Sequence, residues 1–195
     1  MAEPVSPREP PTDYSVRDVV RVPGLLSLFR LPLAIVFPFV FRNSAQAIGL
    51  LGLAALSDML DGWAARRLHQ QTATGAVLDG FMDKVLALVV LMTLVLGREL
   101  SAGEAAVLSS REIGESLLVL FALALRPKRA GARHPANAAG KLATVLQFAA
   151  VVVVLSGRGP RVFLVLATGV TGVVAAVAYG IRELGVRPHE AEARP

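Results

Sequence analysis

The sequence predicts an all-α protein, an integral membrane bundle of six transmembrane helices. Three observations carry that expectation. Hydrophobic residues make up 54% of the 195-residue chain, and mean hydropathy is +0.57, too apolar for an ordinary soluble domain. Apolar runs of about 20 residues, the length that crosses a bilayer, recur along the chain with short polar connections between them. Basic residues collect in alternate connections, as they do in membrane proteins of fixed orientation. The length suits one domain. The chain has no cysteine, which excludes a disulfide framework and a thiolate metal site. The formal charge is +5. Most of the arginines flank apolar runs, so anionic lipid headgroups, not nucleic acid, are the expected partner.

The elements follow in order. Residues 1–24 form a polar, proline-rich cytoplasmic arm without the apolar core of a secretory signal. Within it, Asp13–Val22 reads either as a short interfacial helix with Val16, Val19 and Val20 as its stripe or as a flexible arm. The membrane domain is expected over 25–184. Its six apolar segments are Leu25–Phe41, Ala45–Ala65, Gly75–Leu96, Ala105–Leu125, Asn137–Leu155 and Val162–Ile181. Pro32 and Pro38 interrupt the first, which membrane helices tolerate. Connections such as Arg126–Pro135 and Gly157–Pro160 are rich in Gly, Pro, Ser and Arg. Residues 185–195 read as a disordered cytoplasmic tail.

Orientation follows from the basic residues. With the N-terminus inside, the inner side holds Arg8, Arg17, Arg21, Arg66, Arg67, Arg126, Lys128, Arg129, Arg133, Arg182, Arg187 and Arg194, twelve in all. The outer side holds four: Arg42, Arg98, Arg158 and Arg161. Both termini and the connection between the second and third segments are therefore expected in the cytoplasm.

Four of the six aspartates, Asp58, Asp61, Asp79 and Asp83, lie within or at the ends of these apolar stretches. One aspartate near the centre of a membrane helix costs about 2.5–3.5 kcal/mol on insertion scales. Asp58 and Asp61 are three apart and Asp79 and Asp83 four apart, so each pair shares a helix face. The short connection makes the two helices antiparallel neighbours. If the faces meet, four carboxylates converge and repel unless cations neutralise them. An oxygen-only donor set without Cys or His favours Mg²⁺ or Mn²⁺, one or two ions, over Zn²⁺. Gly62 and Gly75 beside the cluster permit close approach of a backbone or ligand. Arg66 lies one turn beyond Gly62, and the combination suits a diphosphate.

From Asp58 the chain reads D-M-L-D-G-W-A-A-R-R-L-H-Q-Q-T-A-T-G-A-V-L-D-G-F-M-D. This resembles the CDP-alcohol phosphotransferase (CDP-alcohol phosphatidyltransferase) signature, D-x2-D-G-x2-A-R-x8-G-x3-D-x3-D, at every specified position. The resemblance implies a six-helix membrane bundle, usually a homodimer. It implies transfer of a substituted phosphate from a CDP-alcohol such as CDP-diacylglycerol to a second alcohol, with release of CMP. On this likeness Asp58, Asp61 and Asp79 are metal ligands, and Asp83 completes the metal site or acts as general base. Gly62, Ala65 and Gly75 give the cytidine nucleotide room, and Arg66 contacts a phosphate. Localisation in a bacterial inner membrane is the matching expectation.

Outside the signature, Arg111 and Glu112 lie in the fourth segment and Lys141 in the fifth. They read either as an internal salt bridge, Glu112 with Lys141 or Arg111, or as a basic pocket in which Arg111 and Lys141 hold a phosphorylated acceptor. The strings at Ser110–Glu112 and Gly140–Gln147 are similar to those of bacterial phosphatidylglycerophosphate synthases and, more loosely, to cardiolipin synthases. The acceptor expected is glycerol 3-phosphate, with phosphatidylglycerol, inositol phosphate and serine as alternatives. Gly24 and Gly80 depart from the usual family residues. Arg30 either faces the site mouth or snorkels to the interface. Gly49/Gly52 and Gly169/Gly172 permit close helix packing. A cation transporter using the carboxylates, or an idle membrane scaffold, are the readings from other classes.

Overall fold

The computed structural model describes residues 22–68, 72–125 and 138–184. Residues 1–21, which hold most of the polar arm and the Asp13–Val22 segment up to Arg21, and the C-terminal tail lie outside the described residues. Among those described, the chain is all-helical and no strand is present.

Among the described residues, eight helices form where six segments were expected. They are α1 (Val22–Leu28), α2 (Arg30–Val40), α3 (Ser44–Arg67), α4 (Ala73–Leu96), α5 (Ala102–Leu108), α6 (Ser110–Leu125), α7 (Ala138–Ser156) and α8 (Arg161–Leu184). The first segment is split between α1 and α2. Pro32 has no N–H to offer the Leu28 carbonyl one turn back, so the helical ladder lapses at Phe29. The backbone there stays helical, φ −60° and ψ −21°, and Phe29 N–H still donates to Leu25 O at 3.0 Å. The fourth segment breaks at Ser109, where ψ drifts to 7°. Ser101 opens α5 through a reciprocal capping box with Glu104. Arg98, at φ 61°, and Gly157, at φ 63°, turn the chain after α4 and α7.

Two helical stretches, Ser44–Ala65 and Arg161–Ala178, are long and apolar enough to cross a membrane; Gly24–Val40 and Gly140–Ser156 are apolar but shorter. Charge explains why α4 falls outside this set: its first half carries Asp79, Asp83 and Lys84.

The chain divides into two compact units at Leu96/Gly97. In the first, α1 and α2 each pack against both α3 and α4. As the short connection predicts, α3 and α4 bring their aspartate faces together, and α1–α2 lies against both helices. Ser57 Oγ donates to the Leu26 carbonyl at 2.7 Å and fixes α1 on α3.

In the second unit, α8 packs against α5, α6 and α7. Its inward face is small, with Thr168, Gly172, Ala175 and Gly180 buried. Its outward face is apolar: Val162, Phe163, Leu166, Val170, Val173, Val177 and Ile181 are all exposed. A contiguous exposed apolar face of this length suits lipid, not water. The close approach is literal. A Cβ on Gly114 would stand 2.5 Å from that of Ala176, and one on Gly172 would stand 2.3 Å from Ser110 Oγ. Gly169 likewise abuts Val107, whereas Gly49 and Gly52 on α3 face open space. Close packing through glycine therefore holds for Gly169/Gly172 and fails for Gly49/Gly52.

Candidate active site

The site is built on the first unit, from one turn each of α3 and α4 and from the first residue of α2. Asp58 and Asp61 project from α3, Asp79 and Asp83 from α4. Carboxylate oxygens of Asp58, Asp61 and Asp79 all lie within 4.8 Å of one another. Asp83 joins them through a shared partner, and that partner is Arg30. Its guanidinium is a two-pronged clamp. Nη2 lies 2.8 Å from Asp58 Oδ1 and 2.6 Å from Asp61 Oδ2. Nη1 lies 2.5 Å from Asp79 Oδ1 and 3.0 Å from Asp83 Oδ1. One prong thus bridges the acid pair of α3, the other that of α4. The planar fork, with its several donors, suits this four-way contact better than a single ammonium would.

Burial is graded across the cluster. The Arg30 side chain is 1% exposed and that of Asp61 6%. Asp58 and Asp83, at 51% and 52%, open to the outside, with Asp79 between at 38%. The cage therefore has a closed floor and an open mouth. Ser27 Oγ donates to Asp61 Oδ2 at 3.2 Å and completes the floor from α1. Arg30 Nε is buried and has no hydrogen-bond partner among the described residues.

The remaining signature positions surround this mouth in sequence. Gly62 and Ala65 are half-buried on α3, and Arg66 lies in that helix's last turn. At the start of α4, Thr72 Oγ1 accepts from Gly75 N–H at 3.0 Å and caps the helix. A Cβ on Gly75 would meet that same oxygen at 3.0 Å, so glycine suits the cap as well as any ligand.

The two acceptor candidates lie in the second unit. Arg111 Nε donates to Glu115 Oε1 at 2.9 Å, and its Nη1 donates to Thr144 Oγ1. Lys141 is exposed on α7, one turn before Thr144. The structure thus brings Arg111 and Lys141 to neighbouring turns of α6 and α7. Arg111 forms an ion pair with Glu115, four residues on. Near the start of α5, Glu104 accepts from Arg161 Nε at 2.8 Å and Nη2 at 2.7 Å. The Arg161 guanidinium and the Ser101 cap hold the Glu104 carboxyl down to about 2.

Sequence reasoning left Arg30 open between the site mouth and the interface and gave it no role. A lone arginine at the head of an apolar run reads as a snorkelling group. The signal available was charge balance, since four intramembrane acids call for a cation and Arg30 is the basic residue within the apolar run preceding them.

An all-helical chain with an oxygen-only acid cage between two helices has the donor set of a hard divalent cation. The family model for CDP-alcohol phosphatidyltransferase matches residues 20–180. The chain belongs to the CDP-alcohol phosphatidyltransferase family. It is 34% identical over 154 residues to a CDP-diacylglycerol–glycerol-3-phosphate 3-phosphatidyltransferase of Pseudomonas fluorescens, covering 75% of this chain and 78% of the relative. It is 44% identical over 68 residues to the protein of that name from Aquifex aeolicus, covering 34% and 38% of the two chains. A cardiolipin synthase (CMP-forming) of Rattus norvegicus is 38% identical over 76 residues, 37% of this chain and 25% of the relative.

Proposed function

We propose that this protein transfers the phosphatidyl group of CDP-diacylglycerol to glycerol 3-phosphate, giving phosphatidylglycerophosphate and CMP. The observation that carries the proposal is the convergence of Asp58, Asp61, Asp79 and Asp83 within a chain of this family. The acceptor is argued from the Pseudomonas fluorescens relative, whose similarity extends over most of both chains.

The donor set fits a hard divalent cation. The oxygens are all carboxylate, close enough to share one ion, and half-open on one side where substrate oxygens can enter. Asp58, Asp61 and Asp79 would hold Mg²⁺ or Mn²⁺, with Asp83 completing a second position. When bound, such ions polarise the phosphoryl group and offset the charge of the CMP leaving group. The acceptor hydroxyl oxygen forms the new bond to phosphorus as the phosphorus–oxygen bond to CMP breaks. Asp83, exposed at the mouth, is placed to take the hydroxyl proton. Gly62, Ala65 and Gly75 leave room for the cytidine nucleotide, and Arg66 contacts its phosphates. Arg111 and Lys141 supply the positive charge for the phosphate of glycerol 3-phosphate.

The same reading places the chain in a bacterial inner membrane as a six-span homodimer over 25–184, with both termini and the active site on the cytoplasmic side. The basic-residue asymmetry and the apolar outer face of α8 support it. Cardiolipin synthesis from phosphatidylglycerol is the second reading, favoured by the rat relative over a shorter stretch.

The test is CMP release by purified protein in detergent with CDP-diacylglycerol and Mg²⁺ or Mn²⁺. The acceptors compared are glycerol 3-phosphate, phosphatidylglycerol, inositol phosphate and serine, with an EDTA control. Release with glycerol 3-phosphate alone is expected. Release with phosphatidylglycerol alone would replace the acceptor. Metal-dependent ion flux without CMP release would move the protein to the transporter reading.

A further inference from the structure

We infer that Arg30 is an internal counter-cation: it neutralises the aspartate cage when no metal is bound, and divalent ions enter by displacing it. The inference rests on the metal-site reading above.

Three observations carry it. Arg30 holds one oxygen of each of the four carboxylates, at 2.5–3.0 Å, with one prong for each helix, and three of these acids lie close enough together to share one ion. A divalent ion ligated by these oxygens needs contacts of about 2.0–2.1 Å for Mg²⁺, which puts it in the space of the guanidinium nitrogens. Two cations in one place are excluded by volume and by charge. Second, Arg30 is buried with its Nε unpartnered among the described residues. A guanidinium settled in a purely structural pair usually satisfies its buried N–H groups. Third, Arg30 is the first residue of α2, next to the lapse in the helical ladder at Phe29, so it is held by fewer neighbours of its own helix than a mid-helix residue.

The charges also fit an exchange. One guanidinium cannot neutralise four carboxylates, so the cage keeps its attraction for divalent ions while Arg30 is in place. Arg30 thus sets a threshold for metal entry and holds α3 and α4 in register before it.

The experiment measures Mn²⁺ binding by electron paramagnetic resonance and thermal unfolding, in detergent, with and without Mn²⁺. It compares the wild-type chain, Arg30→Gln, Arg30→Lys and Asp58→Asn. Arg30→Gln should bind Mn²⁺ at least about tenfold more tightly, within the 5- to 150-fold range usual for coupled sites. Its metal-free melting temperature should fall and should be restored by Mn²⁺. Arg30→Lys, which keeps the charge but lacks the fork, should lie between. Should Arg30→Gln be unfolded without metal, folding on addition of Mn²⁺ supports the inference and failure to fold with Mn²⁺ overturns it. Folded Arg30→Gln with unchanged or weaker Mn²⁺ affinity also overturns it. Asp58→Asn separates the two ideas: it should lose affinity if the cage is a metal site at all. If neither the wild type nor any variant binds Mn²⁺, the metal-site reading fails and the inference falls with it.

Discussion

The two compact units solve the problem of holding helices together in opposite ways. The first, through Leu96, is organised by charge: a buried arginine grips four acids on two helices. The second is organised by the absence of side chains: Gly114, Gly169 and Gly172 let backbones approach until a single methyl would collide. The first arrangement is costly and versatile, since buried charges must stay matched. The second is cheap and rigid. The difference teaches where function sits: chemistry needs groups that can change partners, and packing needs groups that cannot.

The largest effect expected from breaking this comparison is chemical. Asp83→Asn should lower CMP release by about 10²–10⁴-fold, the usual share of a general base. The half-exposed position and the three remaining acids on Arg30 should leave the fold intact. Circular dichroism and melting of the variant check the second half of that statement; unchanged turnover would remove Asp83 from the mechanism.

Next in size is a methyl added to the second unit. Gly114→Ala places a Cβ against that of Ala176, which has no rotamer to yield, so α6 and α8 must part. A loss of about 1–3 kcal/mol is expected. The same change at Gly52, which faces open space, should be neutral or add up to about 1 kcal/mol through helix propensity. Thermal unfolding of the pair decides it: equal effects at the two sites would mean that glycine contact is not what holds the second unit.

A smaller effect concerns the half-exposed Glu104–Arg161 pair. The folded carboxyl sits at about 2, below the ordinary 4.5. A depressed acid stabilises the fold above its unfolded value and loses that contribution as pH falls through the folded one. Glu104→Gln should therefore melt below the wild type at neutral pH, and the gap should close between about pH 4.5 and 2. A gap that persists at the acid end would trace to the Ser101 cap and not to ionisation.

The aspartate cluster was legible in the sequence because helix periodicity alone places residues three or four apart on one face. The break after α1 was half-legible through Pro32. Two things were not. The packing of α1 and α2 against both α3 and α4 depends on faces contributed by distant segments, which no local spacing reveals. Arg30 was ambiguous because burial is a property of the assembled unit; its own neighbours in sequence are equally compatible with a surface position. The partner of Arg111 was legible and passed over: Glu115 stands four residues on, the spacing that pairs charges along a helix.

The place of Arg30 in the chain has a consequence for biogenesis. A ribosome makes the protein from its N-terminus, so the guanidinium emerges before any of the four acids it will hold. On the proposed six-span topology, the compensating charge enters the bilayer with α1–α2 ahead of α3 and α4. In a glycosylation-mapping assay, α3 should therefore insert more fully behind α1–α2 than alone, and Arg30→Gln should erase the difference. The linear order of the gene product doubles as an assembly schedule in which the cation waits for its acids.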